Sequence, residues 1–295
     1  MQSADFLSAV FFYLKVGENL NQNWIVENLN NAFSTWNGKL GELWGLVTTG
    51  PQTFKGGAVW SVMQTLHNGM VGVGYALVVL FFAISLCKNT MNFHELKRPE
   101  AAIHYFLRFV AAKTLVGYGM DIMLNVFSIC NGIVTDMADS MGGISEAMVS
   151  LPAEMQTAIE NVGFLASIPL WLVTILGSLF ITVLSFVMIL TVYGRFFRLY
   201  MYTALAPLPL AAFAGESTQS VGISFLKSYV GACLEGAVIV LACVIYSAFV
   251  STPTVASGEA TTIVWSYLAE TVFNMLVLVG LIKGSDRIIH EMMGL

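Results

Sequence analysis

Charge is what this chain has least of. Asp, Glu, Lys and Arg make up 11% of its 295 residues, against 57% hydrophobic residues. Water-soluble domains carry about 25% charged residues, so an ordinary soluble enzyme is excluded. Positive charge is the scarcer sign, with 13 Lys and Arg against 18 Asp and Glu and a net charge of −5. That balance argues against a surface that holds nucleic acid by neutralising phosphate. The four cysteines, Cys87, Cys130, Cys233 and Cys243, form no CxxC pair and lie in apolar runs, where a thiol serves as a small buried hydrophobe. The sequence has no Gly-x-x-x-x-Gly-Lys phosphate loop, no HExxH and no Gly-x-Ser-x-Gly elbow, the signatures of nucleotide hydrolysis, zinc proteolysis and acyl transfer. His67, His94, His104 and His290 have no metal-ligand spacing. Neither catalysis nor a cofactor or metal is expected. A secretory signal is not expected either, because Asp5 is the only charge before Phe6–Leu14 and a signal opens on basic residues.

What is present is long apolar sequence, and an all-α integral membrane protein follows from it. The first 55 residues differ from the rest. Phe6, Val10, Phe11 and Leu14 share one helical face over residues 4–16, and an Asn-rich stretch interleaved with Trp24, Ile25, Leu29, Phe33 and Trp36 follows. A second amphipathic piece runs to Val47 and stops at Gly50-Pro51. Residues 1–55 therefore read as an extracytoplasmic amphipathic helical segment lying along the membrane surface. Residues 56–295 read as a polytopic domain, since a crossing needs about 20 apolar residues and such runs fall near 64–87, 105–134, 166–193, 228–250 and 263–282. Residues 135–165 hold Asp136, Asp139, Glu146, Glu154 and Glu160 with no Lys or Arg.

The stretch 199–214 is apolar but contains Pro207 and Pro209. As a straight helix it would be ~24 Å long, short of the ~30 Å hydrocarbon core. Basic residues decide its topology. If it does not cross, Lys88, Lys97, Arg98, Arg195, Arg198, Lys227, Lys283 and Arg287 share one side, and only Lys15, Lys39 and Lys55 lie on the other. If it crosses, the split is five against six. Cytoplasmic loops carry the excess of Lys and Arg, so about five transmembrane helices are expected, with 199–214 a broken re-entrant or interfacial segment. The amino terminus is then outside and the carboxyl terminus in the cytoplasm. Non-helical backbone at that depth must be covered by protein or line a cavity.

Lys113, Glu235 and Glu270 each fall several residues inside an expected span. An isolated charge there costs about 2.5–3.5 kcal/mol on insertion scales, so such groups turn to a partner or to water. Lys113 paired with Glu235 or Glu270 is the simplest compensation, and a water-lined path is the alternative. Gly69, Gly72 and Gly74, together with Ala232 and Gly236, offer small surfaces where helices can approach closely.

With these features in place the sequence resembles the TrbL-like polytopic inner-membrane subunits of conjugative type IV secretion systems, in the versions found on Gram-positive conjugative elements. The residues that carry the resemblance are Arg195-Phe-Phe-Arg198, the Ala204–Leu210 break, the polar turn after it, Phe225-Leu-Lys227 and Glu235-Gly236. Lys113 and the Asn125–Ile129 stretch fit the pattern as well. The resemblance implies a structural or channel component that helps move single-stranded DNA with its attached protein across the cytoplasmic membrane. It also implies several partners: membrane lipid, further copies of the chain, cytoplasmic ATPases, a bitopic assembly-platform protein and other secretion subunits. The acidic loop 135–165 departs from the family's substrate-contacting loop, since such a surface repels phosphate. It is assigned to subunit contacts, and direct DNA contact is not expected. The competing reading is a secondary transporter or small-solute channel, suggested by a broken helix beside buried charges.

Overall fold

The computed structural model describes the backbone of residues 2–90, 99–140, 148–162, 164–249 and 260–295, with side chains described for 24–88, 103–139, 148–162, 168–249 and 262–295. Lys97 and Arg98, the Gly142-Gly143 break with Glu146, residues 251–259 of the polar loop and the side chains of the face expected over 4–16 lie outside the described residues. Among the described residues there is no strand, and the all-α membrane architecture stands.

Helix α1 runs without interruption over Gln2–Thr48, ~70 Å at 1.5 Å per residue. The Asn-rich stretch does not separate two pieces, because no proline interrupts it before Gly50-Pro51. Ile25, Leu29, Phe33, Trp36, Leu40, Leu43 and Val47 are buried, and their spacing of three or four defines one apolar face. A tight turn comes next, in which Lys55, Gly56 and Gly57 take φ of 48°, 72° and 78°. Glycine adopts that left-handed region without steric penalty. The Lys55 ammonium lies 5.0 Å from the centre of the Tyr193 ring.

Helix α2 (Ala58–Thr90) is followed by α3 (Pro99–Gly117) and α4 (Gly119–Ser140). The single helix expected over 105–134 is thus two, jointed at Tyr118. Backbone bonds Tyr118 N–H to Thr114 O and Ile122 N–H to Tyr118 O persist on either side, so the joint is a kink, placed where two glycines flank one residue. A Cβ at Gly117 would stand 2.8 Å from the Tyr75 hydroxyl, and one at Gly119 3.2 Å from Leu210. Both positions leave little room for a side chain.

After α5 (Ala153–Glu160), α6 extends over Phe164–Leu205, passing straight through Arg195 and Arg198. The expected separate segment 199–214 is corrected accordingly: residues 199–205 are the end of α6, and the break is confined to residues 206–214. Pro207 can offer no N–H to the helix, and α6 stops two residues before it. The short α7 (Pro207–Ala211) and a 3-10 turn (Ala212–Ala214) lead through a polar turn into α8 (Gln219–Phe249) and α9 (Ala260–Met293). Helix α7 packs against α2 and α3, and Ala206, Leu210, Ala211 and Ala214 are buried in a core with Val78, Ala112, Val116 and Met123. The prolyl break is covered by protein.

Four helical stretches among the described residues are long and apolar enough to cross a membrane: Phe54–Lys88, Ile168–Leu205, Gln219–Phe249 and Thr262–Met293. The kinked 105–134 region is not among them. By its contacts the chain forms two compact units, one of Met1–Trp44, Gly143–Thr191 and Leu241–Lys283, the other of Gly45–Gly142, Val192–Val240 and Gly284–Leu295. Helices α1, α6, α8 and α9 each contribute to both units.

Within the first unit α1 runs parallel to α6. Trp24 meets the Trp171 ring at 5.6 Å, the Asn28 amide donates to the Ser178 hydroxyl at 3.1 Å, and the Lys39 ammonium lies 5.9 Å from the centre of the Phe186 ring. Asn37 pairs with the backbone of Val149, donating to its carbonyl at 2.8 Å and accepting from its N–H at 2.9 Å. The Tyr267 hydroxyl donates to the Ser150 carbonyl at 2.9 Å. Residues 149 and 150 of the acidic segment are thereby tied to α1 and to Tyr267.

Candidate functional site: a buried arginine–carboxylate cluster

Three helices of the second unit bring their charges together. The Tyr202 ring of α6 meets Phe225 and Tyr229 of α8 at 5.9 and 6.3 Å, while Arg198 and Arg195, earlier on α6, meet residues 232–236, later on α8. The two helices therefore run antiparallel. Arg195 is 0% exposed. Its Nε donates to the Ala232 carbonyl at 3.3 Å, Nη2 to the Cys233 carbonyl at 3.2 Å and Nη1 to the Val47 carbonyl at 3.3 Å. Val47 lies in the last turn of α1, whose carbonyls have no partner within the helix. Gly236 makes the approach possible, because a Cβ there would stand 2.7 Å from Nη1 of Arg195.

One turn on, Arg198 Nη2 donates to both carboxylate oxygens of Glu235 at 2.7 Å. Glu235 is 1% exposed and also accepts from the Ser285 hydroxyl at 3.2 Å. Arg198 Nη1 donates to Asp286. Two arginines and two carboxylates balance in formal charge, and the buried carboxylate has donors on both oxygens. Breaking one partner of such a buried pair costs about 3–5 kcal/mol, so the cluster locks α6, α8 and α9 in register. None of these groups is arranged as a nucleophile with its base, and the chemistry the cluster can do is to hold.

A second polar contact secures the break. The Thr203 carbonyl would normally accept from the residue four positions on, which is Pro207. Nδ1 of His67, itself 2% exposed, lies 2.7 Å from that carbonyl and donates to it. The proton is thereby assigned to Nδ1.

The family model described as TrbL/VirB6 plasmid conjugal transfer like protein matches residues 36–207, more than half of the chain. The chain belongs to this family. No curated protein and no solved structure matches it. As a TrbL/VirB6 family member it is a multi-pass membrane component of the conjugal transfer apparatus, a type IV secretion system, and takes part in a complex with other subunits.

In this TrbL/VirB6-family chain the matched stretch ends at Pro207, so Arg195 and Arg198 lie inside it while Glu235, Ser285 and Asp286 lie beyond. Of the intramembrane charges picked out in sequence, Glu235 is in the cluster, but its partner is Arg198 and not Lys113. Lys113 is exposed on α3. Glu270 is half-buried on α9 and belongs to the other compact unit. Pro207 is buried at the break beside Pro209. Of the small residues, Ala232 and Gly236 admit the Arg195 guanidinium in place of a helix backbone. Gly69 and Gly72 meet nothing within 4 Å, whereas a Cβ at Gly74 would stand 2.9 Å from the Pro207 carbonyl. Helix packing on α2 is therefore centred at Gly74. Sequence reasoning missed Arg195, Arg198, Ser285, Asp286 and His67 as site residues. One signal was available for the last: a proline at 207 orphans the carbonyl at 203, which needs a donor.

Proposed function

We propose that the chain is a structural and channel component of a conjugative type IV secretion machine, aiding passage of a single-stranded DNA–protein substrate across the cytoplasmic membrane, and that it has no catalytic activity. The observation that carries this reading is the two-faced character of the first unit. On α6, α8 and α9 its exposed side is apolar: Leu172, Leu179, Phe180, Ile245 and Phe273 are 53–59% exposed, a lipid-facing surface. On α1 the exposed residues between Trp24 and Trp44 are Glu27, Asn30, Asn31, Ser34, Gly38 and Gly41, whose polar groups lipid would not solvate. Copies assembled with the apolar side outward enclose the polar sides, giving a hydrated path between subunits. The carboxylates of residues 135–165 disfavour a direct grip on DNA phosphate.

The amino terminus lies outside and the carboxyl terminus in the cytoplasm. With Arg195 and Arg198 inside the protein, Lys88, Lys97, Arg98, Lys227, Lys283 and Arg287 remain as the basic group on the side of the carboxyl terminus, and an excess of Lys and Arg marks the cytoplasmic side. The kinked α3–α4 pair supplies the fifth crossing. Energy comes from cytoplasmic ATPase partners, and a bitopic assembly-platform protein joins the copies to the rest of the machine. Against the transporter reading stand the bonds that hold Arg195, Arg198 and Glu235 within the protein and the packing around the prolyl break. Deleting the gene in a donor cell tests the proposal. Transfer falls below detection and returns with the wild-type chain, while solute uptake by vesicles containing the purified chain stays at background. Undiminished transfer would refute it.

A further inference from the structure

Along α3 an apolar stripe, Ile103, Leu107, Ala111 and Leu115, repeats every four residues and forms one wall of a cleft of about 560 Å3, with Phe213 on the opposite wall. That volume lies within the range of small-molecule clefts, about 300–1,000 Å3. The stripe from 103 to 115 rises ~18 Å. His104 and Arg108 of the same helix and Gln219 of α8 add polar groups to the lining. Arg108 donates through Nη2 to the Gln219 side-chain carbonyl at 3.2 Å, and its ion pair with Glu216 is long, 3.9 Å, to a carboxylate 64% exposed. A guanidinium has five N–H donors, so most of its capacity is still available, and a solvent-screened carboxylate at that distance contributes little. Lys88 at the end of α2 and Lys227 on α8 are exposed. Ser85, one turn before Lys88, accepts from the Glu216 N–H at 3.4 Å, which places the end of α2 at the turn that carries Glu216. The cleft therefore combines one arginine with spare donors and an apolar floor.

We propose that this cleft seats an anionic phospholipid, its phosphate on Arg108 and one acyl chain along the α3 stripe. Arginine matches a phosphate through two parallel donors, and basic pockets between membrane helices select anionic headgroups. The site stands independently of the secretion reading.

The test uses the full chain purified in mild detergent and equilibrated with phosphatidylglycerol and phosphatidylcholine of matched acyl chains, with retained lipid counted by native mass spectrometry. The wild type retains phosphatidylglycerol at least fivefold over phosphatidylcholine. Arg108→Gln abolishes the preference, Arg108→Lys keeps part of it, and Ala111→Trp, which fills the floor and leaves the charge, abolishes retention. All variants must elute and melt like the wild type, so that Arg108→Lys guards against a folding artefact. Equal retention of the two lipids by the wild type would overturn the proposal, as would a preference that survives Arg108→Gln. Displacement of the lipid by inorganic phosphate alone would overturn it as well, by showing a phosphate site indifferent to the acyl chain.

Discussion

Replacing Gly236 with alanine sets two effects of known size against each other. In a helix interior alanine is favoured over glycine by about 1 kcal/mol, so propensity alone raises stability. In the structure the new Cβ would stand 2.7 Å from Nη1 and 2.8 Å from Cζ of Arg195. Arg195 is 0% exposed and held to three carbonyls at 3.2–3.3 Å, so it can retreat only by lengthening those bonds. A hydrogen bond to a charged group contributes about 1.5–3 kcal/mol. Loss of two of the three, less the propensity gain, leaves Gly236→Ala destabilised by about 2–5 kcal/mol. Gly280→Ala is the control, because nothing lies within 4 Å of its Cβ position, and it should be neutral or stabilised by up to about 1 kcal/mol. Unfolding of both variants in mixed detergent–SDS micelles, followed by helical circular dichroism, reads the difference. Equal stability of Gly236→Ala and Gly280→Ala would refute the account of Arg195 as a clamp on α8.

The remaining predictions are read by the same unfolding assay or by proteolysis. Arg198→Ala and Glu235→Ala should each cost about 3–5 kcal/mol and their double mutant less than the sum, whereas Lys113→Ala should stay within about 0.5 kcal/mol and show no coupling to Glu235; coupling to Lys113 would restore the pairing expected from sequence. His67→Ala should cost about 1–3 kcal/mol by orphaning the Thr203 carbonyl. On a Pro207→Ala background, which supplies the missing N–H, the cost should shrink, and an undiminished cost would mean that His67 acts otherwise. Asn37→Ala should speed proteolytic cleavage within residues 148–152, since that segment loses both bonds to the Asn37 side chain; an unchanged cleavage rate would show that those bonds do not hold it.

Much of the fold was legible because crossing a membrane is written in length and apolarity, which need no knowledge of neighbours. Four of the five expected spans lie within helices that meet those criteria. The failures share a cause: each depends on the surface lying opposite. A charged residue in an apolar run reads as the end of a span because its insertion is costly, and Arg195 escapes that rule only through carbonyls at 47, 232 and 233. Nothing in the local sequence says that Gly74, and not Gly69 or Gly72, is the glycine that meets Pro207. The kink at Tyr118 was visible as a glycine pair, but hydropathy averages across it. Glu235 was recognised as a charge needing a partner. Arg198 falls after the expected span end at 193 and so does not read as that partner, although it bonds both oxygens of Glu235.

A polar face of α1 lining a hydrated path between copies is the central claim, and transfer frequency after thiol labelling tests it most directly. Asn31→Cys and Leu179→Cys are placed in a Cys87→Ser background, which removes the exposed native thiol among the described residues. Donor cells are then treated with a bulky, membrane-impermeant thiol reagent before mating. Modification at position 31 should cut DNA transfer at least tenfold, and the same treatment at position 179 should leave it unchanged. Transfer that continues undiminished with position 31 fully modified would contradict the claim.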